Sequence, residues 1–143
     1  MYNACVLSTL LYDSETWKNV ASSAQFHLRR LRRILSIFYQ DRVSNTDVLE
    51  RAYTPSVLAL LSQRRLRWLG NVRRMEDGRL PRDVLYGELA SGSRPVGRPM
   101  LRYKDVCRRD MKSAEINPDL WEAAAADRSN WLASCSPDRC QES

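Results

Sequence analysis

Lysine is nearly missing from this basic chain: three lysines stand against twenty arginines in 143 residues. Solubility asks only for a mobile positive charge, which lysine supplies, whereas arginine's planar fork of donors fits phosphate oxygens and stacks on bases. Histidine is down to a single residue, His27, which falls among the apolar positions of a helical pattern and reads as a partly buried imidazole rather than a catalytic base. No acid-base dyad suggests itself, so the residues alone give no sign of catalysis. The four cysteines, Cys5, Cys107, Cys135 and Cys140, have neither a disulfide framework nor a signal peptide beside them, and are expected to be reduced thiols. Cys135 and Cys140 have loose zinc-like spacing without a second pair or nearby histidines, and Glu76 and Asp77 adjoin in a turn where nothing completes a coordination shell. No metal and no other cofactor is therefore expected. The apolar run from Ala4 to Tyr12 is too short to cross a bilayer and has no basic flank before it, so the expectation is an intracellular chain, nuclear or cytoplasmic, with no membrane partner.

What is present points to a folded, cationic protein. Hydrophobic residues make up 43% of the chain, with four Trp and six Tyr, too many for a disordered basic tail. The net charge of +6 conceals an asymmetry: residues 26–74 carry +8 and residues 79–112 carry +5, whereas residues 113–143 carry −4. A polyanion would meet the middle of the chain and avoid its C-terminal end.

Apolar residues recur at helical spacing almost throughout, and no segment sustains the alternation of a strand. The fold class expected is all-α, an irregular bundle of about five to six helices with a Gly/Pro/Arg loop near 91–99. A short apolar element covers residues 2–12. A helix over 21–39 places Ala24, His27, Leu28, Leu31, Ile34, Leu35 and Phe38 on one side and Arg29, Arg32 and Arg33 on the other. A short helix over 45–53, capped by Ser44 or Asn45, turns Val48, Leu49 and Ala52 inward. Thr54 as cap and Pro55 in the first turn then open a helix to about residue 75. Its core face is Val57, Leu58, Leu61, Trp68, Leu69 and Val72, and Arg64, Arg67, Asn71 and Arg74 form a second stripe. Pro81 restarts a helix through about residue 90, with Val84, Leu85 and Leu89 apolar. Residues 101–114 are again helical, with Tyr103, Val106, Cys107, Met111 and Ala114 inward. Asn117 and Pro118 start a last helix over 118–134 that holds Trp121, Ala124, Ala125, Trp131 and Leu132. Residues 1–134 thus read as one helical domain and 135–143 as a disordered tail.

The two arginine stripes are nearly free of acidic partners at i±3 and i±4, so their charges repel by a few tenths of a kcal/mol per pair. Charged helix faces usually do nothing but solvate, yet a face destabilised when unbound suggests a bound anion. RNA or DNA backbone is the expected partner, contacted without sequence preference by Arg29, Arg32, Arg33, Arg64, Arg67, Asn71 and Arg74. In the segment Arg94-Pro95-Val96-Gly97-Arg98-Pro99, a Gly-Arg-Pro core is the kind that lays arginine into a narrow minor groove, although a simple linker fits it better. Arg94, Arg98 and Arg102 remain candidate phosphate contacts. Trp17 and Tyr103 are read as core residues with stacking as the alternative, and Trp68, Trp121 and Trp131 as core.

Five strings carry a resemblance: Leu10 to Trp17 (LLYDSETW), Phe26 to Leu35 (FHLRRLRRIL), Arg64 to Val72 (RRLRWLGNV), Gly97 to Asp105 (GRPMLRYKD), and Trp121-Glu122 followed by Ala126-Asp127-Arg128 and Trp131. In this order they resemble the C-terminal region of the reverse transcriptase polyprotein of non-LTR (LINE-type) retrotransposons, over about residues 5–132. The resemblance implies a thumb-like part over 1–75 and a post-thumb part over 76–134, downstream of a catalytic palm that this chain does not contain. It implies gripping of template RNA and primer duplex, with the upstream polymerase portion as a further partner. Three positions depart from the family pattern, which has glycine at Asp13, histidine at Asn71 and a cysteine near Arg30. The alternatives are a helical protein-interaction module docking to an acidic surface, and an inactive retroelement relic.

Overall fold

A computed structural model of the chain describes residues 3–12, 21–87 and 103–136. Trp17, the Gly/Pro/Arg loop with Arg94 and Arg98, Arg102, Cys140 and the end of the tail all lie outside the described residues. Within them the protein is all-α, as its periodicity predicts. A π-helical turn Asn3–Leu7 runs into α1, Ser8–Leu10, and is followed by α2, Ala21–Ile34. A 3-10 turn Tyr39–Asp41 leads to α3, Asn45–Arg51, and then to the long α4, Val57–Arg73. The remaining helices are α5, Leu80–Tyr86; α6, Tyr103–Ser113; α7, Trp121–Ala124; and α8, Arg128–Ser134.

Short polar side chains cap the starts of α3, α4 and α8. Ser44 caps α3 by accepting from Asp47 N at 3.1 Å, as the sequence suggests. The expected start of α4 needs correcting: its cap is Ser56, whose Oγ accepts from Ala59 N at 3.1 Å. Thr54 instead donates its hydroxyl to Ala52 O at 3.0 Å, and Pro55 precedes the helix rather than opening it. The single last helix expected over 118–134 is two helices. Asp127 adopts an extended conformation and accepts from Ser129 N at 2.9 Å, which ends one helical run and caps the next.

Three helices stop without glycine. Ser36, Tyr53 and Glu115 take positive φ of 53°, 49° and 57°. After each, a 6→1 hydrogen bond closes the terminus: Ile37 N to Arg32 O at 2.9 Å, Thr54 N to Leu49 O at 3.1 Å and Ile116 N to Met111 O at 2.8 Å. This is the Schellman geometry that glycine ordinarily occupies. It also explains why α2 ends at Ile34 and not near residue 39, because no glycine or proline announces the stop. Ile34 and Phe38, expected on the apolar face, are consequently 60% and 70% exposed.

α4 is the central strut. Val57, Ala59, Leu61, Gln63, Arg65, Leu66, Leu69, Gly70 and Val72 are all buried along it, which surrounds the helix with protein over much of its circumference. Its first half packs Val57 and Leu61 against Leu7 and Leu11, with Leu10 and Ala24 at the margin. Its second half packs Leu66, Leu69 and Val72 against Leu85, Cys107, Met111, Ala114, Trp121, Ala125, Trp131 and Cys135. Burying each large apolar side chain here contributes about 1.5–3 kcal/mol. The expected inward face of α5 holds only in part, since Leu85 is buried whereas Val84 is 73% exposed.

Candidate nucleic-acid interface

The arginines predicted to form two outward stripes divide into two groups. On α2, Arg29 and Arg33 are exposed, one turn apart, and make no ion pair among the described residues. Arg30, beside them, lies over the Phe26 ring at 5.0 Å. Arg32 turns back to the protein, its Nη2 donating to Val43 O and to Asn45 Oδ1, both at 2.9 Å. That fork ties the end of α2 to the start of α3. On α4, Arg67 and Asn71 are exposed and again one turn apart. Arg64 donates to Leu11 O at 2.6 Å and Arg74 to Ala125 O at 2.7 Å. These two guanidiniums satisfy carbonyl groups of distant segments and hold the N-terminal element and the α7–α8 region onto α4. Of the residues on the two predicted stripes, those that face outward are therefore Arg29, Arg33 and Arg67, with Asn71 one turn from the last.

Sequence reasoning missed the arginine with the deepest structural role. Arg65 is buried, and its Nε donates to Asp110 Oδ2 at 2.6 Å with side-chain exposures of 7% and 5%. Tyr103 donates to Arg65 O at 3.3 Å and packs its ring edge-on to Trp68 at 5.2 Å. A signal was present: Arg65 lies one turn from both Leu61 and Leu69 on the helical wheel, and Asp110 lies between Cys107 and Ala114 on the apolar face of α6. Two opposite charges on apolar faces of two helices are expected to meet, because neither is tolerated there alone. The more exposed pairs Arg73 with Glu122 at 3.3 Å and Arg82 with Asp77 at 2.8 Å complete this side. Arg82 also donates to Met75 O. Asp77, weighed in the sequence as a metal contact, thus faces a guanidinium. No three His, Cys, Asp or Glu side chains converge among the described residues.

Gly70 permits a close contact between α4 and α8. A Cβ there would overlap the indole of Trp131, whose Nε1 donates to Leu66 O at 2.8 Å. The absence of a side chain at Gly70 leaves room for the Trp131 indole against α4, and the indole N–H gains a partner there. The string Arg67-Trp68-Leu69-Gly70-Asn71 thereby has a physical division: Leu69 and Gly70 face the core, Arg67 and Asn71 face water.

Burial also sets the titration behaviour. The Cys107 thiol is pushed up to about 12, chiefly by burial, which favours the neutral thiol of a packed core residue. Burial raises Tyr103 as well. His27 is lowered below its usual value of 6.5 by burial on the inner face of α2, which keeps it neutral, as its place in the apolar pattern implies.

No helix among the described residues is long and apolar enough to cross a membrane. The chain matches no protein-family model, and no solved structure matches it. It is similar to a Caenorhabditis elegans protein named as transposon-derived, with 28% identity over 93% of this chain. That likeness supports a transposon-related origin. The chain spans about half the length of this curated relative, 52% of it.

Proposed function

We infer that this protein is a piece of a non-LTR retrotransposon reverse transcriptase from downstream of the catalytic palm, and that it grips the template RNA and primer duplex by their phosphates. One observation carries the reading. Arg29, Arg33 and Arg67 stay in water without an ion pair, while Arg65, Arg73 and Arg82 are matched by Asp110, Glu122 and Asp77. Like charges one turn apart, as at Arg29 and Arg33, raise the energy of the unbound helix by a few tenths of a kcal/mol, and a polyanion relieves that repulsion. The likeness to a transposon-derived protein supports a transposon-related origin. Contacts of this kind position a duplex and carry no base specificity.

Fluorescence anisotropy on an RNA hairpin and a nicked DNA tests the reading. With roughly three phosphates neutralised, log K against log salt falls with a slope of about −2 to −3. Arg29→Glu/Arg33→Glu/Arg67→Glu abolishes binding and leaves the fold intact. Arg64 and Arg74 are poor choices for such a test, because their reversal would break the bonds to Leu11 O and Ala125 O. Equal affinity and equal salt response in wild type and triple variant would defeat the reading. A second reading, docking to another protein, is favoured by Leu80 and Val84, one turn apart on α5 and 75% and 73% exposed. Light scattering that shows self-association without RNA binding would select it.

A further inference from the structure

α3 is flanked at both ends by aromatic rings that the fold leaves in water. Before it, Phe38 and Tyr39 are 70% and 99% exposed, and after it Tyr53 is 93% exposed. Their backbone is nonetheless fixed. Asp41 Oδ2 accepts from Phe38 N at 2.7 Å, and the amides of Asp41 and Arg42 close the 3-10 turn onto Phe38 O and Tyr39 O at 3.1 and 3.4 Å. Tyr53 occupies the left-handed position that ends α3, with φ of 49°, where glycine would sit without strain. An aromatic side chain that gains no burial and occupies a strained position invites a functional account, since packing supplies none. α3 is seven residues long, roughly 10 Å.

Arginine is interleaved with these rings. Arg42 follows the 3-10 turn, Arg51 is the last residue of α3 and Arg33 lies in the last turn of α2; all three are exposed and make no ion pair among the described residues. Asp41 accepts from Phe38 N, and the two carboxylates of α3, Asp47 and Glu50, are exposed and make no ion pair with these arginines. Aromatic faces among unmatched guanidiniums suit a ligand that offers flat rings joined by phosphates. They suit an apolar protein surface poorly, because burying the arginines against it would leave their charges unpaired.

We propose that Phe38, Tyr39 and Tyr53 stack on unpaired bases of single-stranded nucleic acid, while Arg33, Arg42 and Arg51 meet its phosphates. This rests on the phosphate-gripping reading above and adds a ligand class to it: bases inside a duplex already stack on one another, so only a single strand presents free faces.

The full chain is titrated by anisotropy against a labelled oligouridylate of about a dozen nucleotides and against a labelled RNA hairpin. The double variant Phe38→Ala/Tyr39→Ala weakens single-strand binding about ten-fold or more, and Tyr53→Gly weakens it about ten-fold, with hairpin affinity held within about two-fold. Tyr39→Trp retains wild-type affinity for the strand. Since Tyr53→Gly relieves backbone strain, its loss of binding is not a loss of fold, and a thermal melt checks this. Unchanged single-strand affinity in these variants, alongside loss of both ligands in Arg29→Glu/Arg33→Glu/Arg67→Glu, overturns the stacking proposal and leaves the phosphate grip standing. Equal losses on strand and hairpin overturn it as well. A wild type that binds neither ligand sinks both readings. Variants that change self-association in light scattering but not oligonucleotide affinity assign the rings to a protein contact, and the proposal fails.

Discussion

Around the first half of α4, Arg29 and Arg33 of α2 stand in water, and the apolar cluster there is small, built from Leu7, Leu11, Val57 and Leu61. Around the second half, arginine is part of the core's own construction, with Arg65 on Asp110, Arg73 on Glu122 and Arg74 on the Ala125 carbonyl. The same residue type thus serves two ends along one helix. Where Asp110 of α6 and Glu122 of α7 come within reach, guanidiniums cross-link helices; exposed arginines without such a partner, Arg67 of α4 among them, remain available to a ligand. Charge counted along the sequence does not separate the two, because the carboxylates that neutralise α4 come from segments distant in sequence.

The sharpest way to break this comparison is at Arg65. Arg65→Leu leaves Asp110 buried and unpaired, and destabilises by about 3–5 kcal/mol in urea unfolding, whereas Arg65→Leu/Asp110→Leu recovers most of the loss. A single variant as stable as wild type would mean that the pair is solvated and the two halves are alike. Next in size is Gly70→Ala, which drives a methyl group into the Trp131 indole and costs about 1–3 kcal/mol, read as a lowered Tm with quenched or shifted tryptophan emission.

Acid acts on the other half. Because the folded state holds His27 below its unfolded value of 6.5, the unfolded chain binds the extra proton first. Its contribution to stability is complete above pH 6.5 and is lost as pH falls below it. Thermal melts from pH 7.5 to 5 on wild type and His27→Gln should show the slope flattened in the variant. Smaller again, Glu115→Gly relieves a left-handed residue at the end of α6 and raises stability by about 0.4–1 kcal/mol. Smallest is Arg29→Ala or Arg33→Ala, expected within about 0.5 kcal/mol of wild type in the melt while phosphate binding weakens. A large destabilisation there would place these side chains in the core's construction after all and erase the contrast between the halves.

Helix type and the inward residues of α3, α4 and α6 were legible because apolar spacing at 3.6 residues reports burial directly: Val48, Leu61, Leu69, Cys107 and Met111 are all buried where the pattern puts them. Helix ends were less legible. Ser36 and Glu115 end their helices in a conformation that glycine normally marks, and Asp127 divides what reads as one helix by an extended turn that its own carboxylate caps. The candidate interface was legible as a composition and only partly as a set of residues. Arg29, Arg33, Arg67 and Asn71 face water as the wheel predicts. Arg32, Arg64 and Arg74 lie on the same predicted stripes but reach the oxygens of Asn45, Val43, Leu11 and Ala125. A long flexible side chain leaves its helical position and seeks an acceptor, so angle on a wheel fixes where it starts and not where its charge ends.

The amino-acid order by itself determined that this chain is helical, that its middle is cationic, and that α4 carries apolar residues enough to anchor both halves; these follow from local periodicity and composition. Only the tertiary structure decided which arginines remain for a ligand. That choice depends on whether a carboxylate or an unsatisfied carbonyl from a distant segment comes within hydrogen-bonding reach, as Asp110 does for Arg65 across 45 positions of sequence, and buried acceptors claim donors before solvent or ligand can.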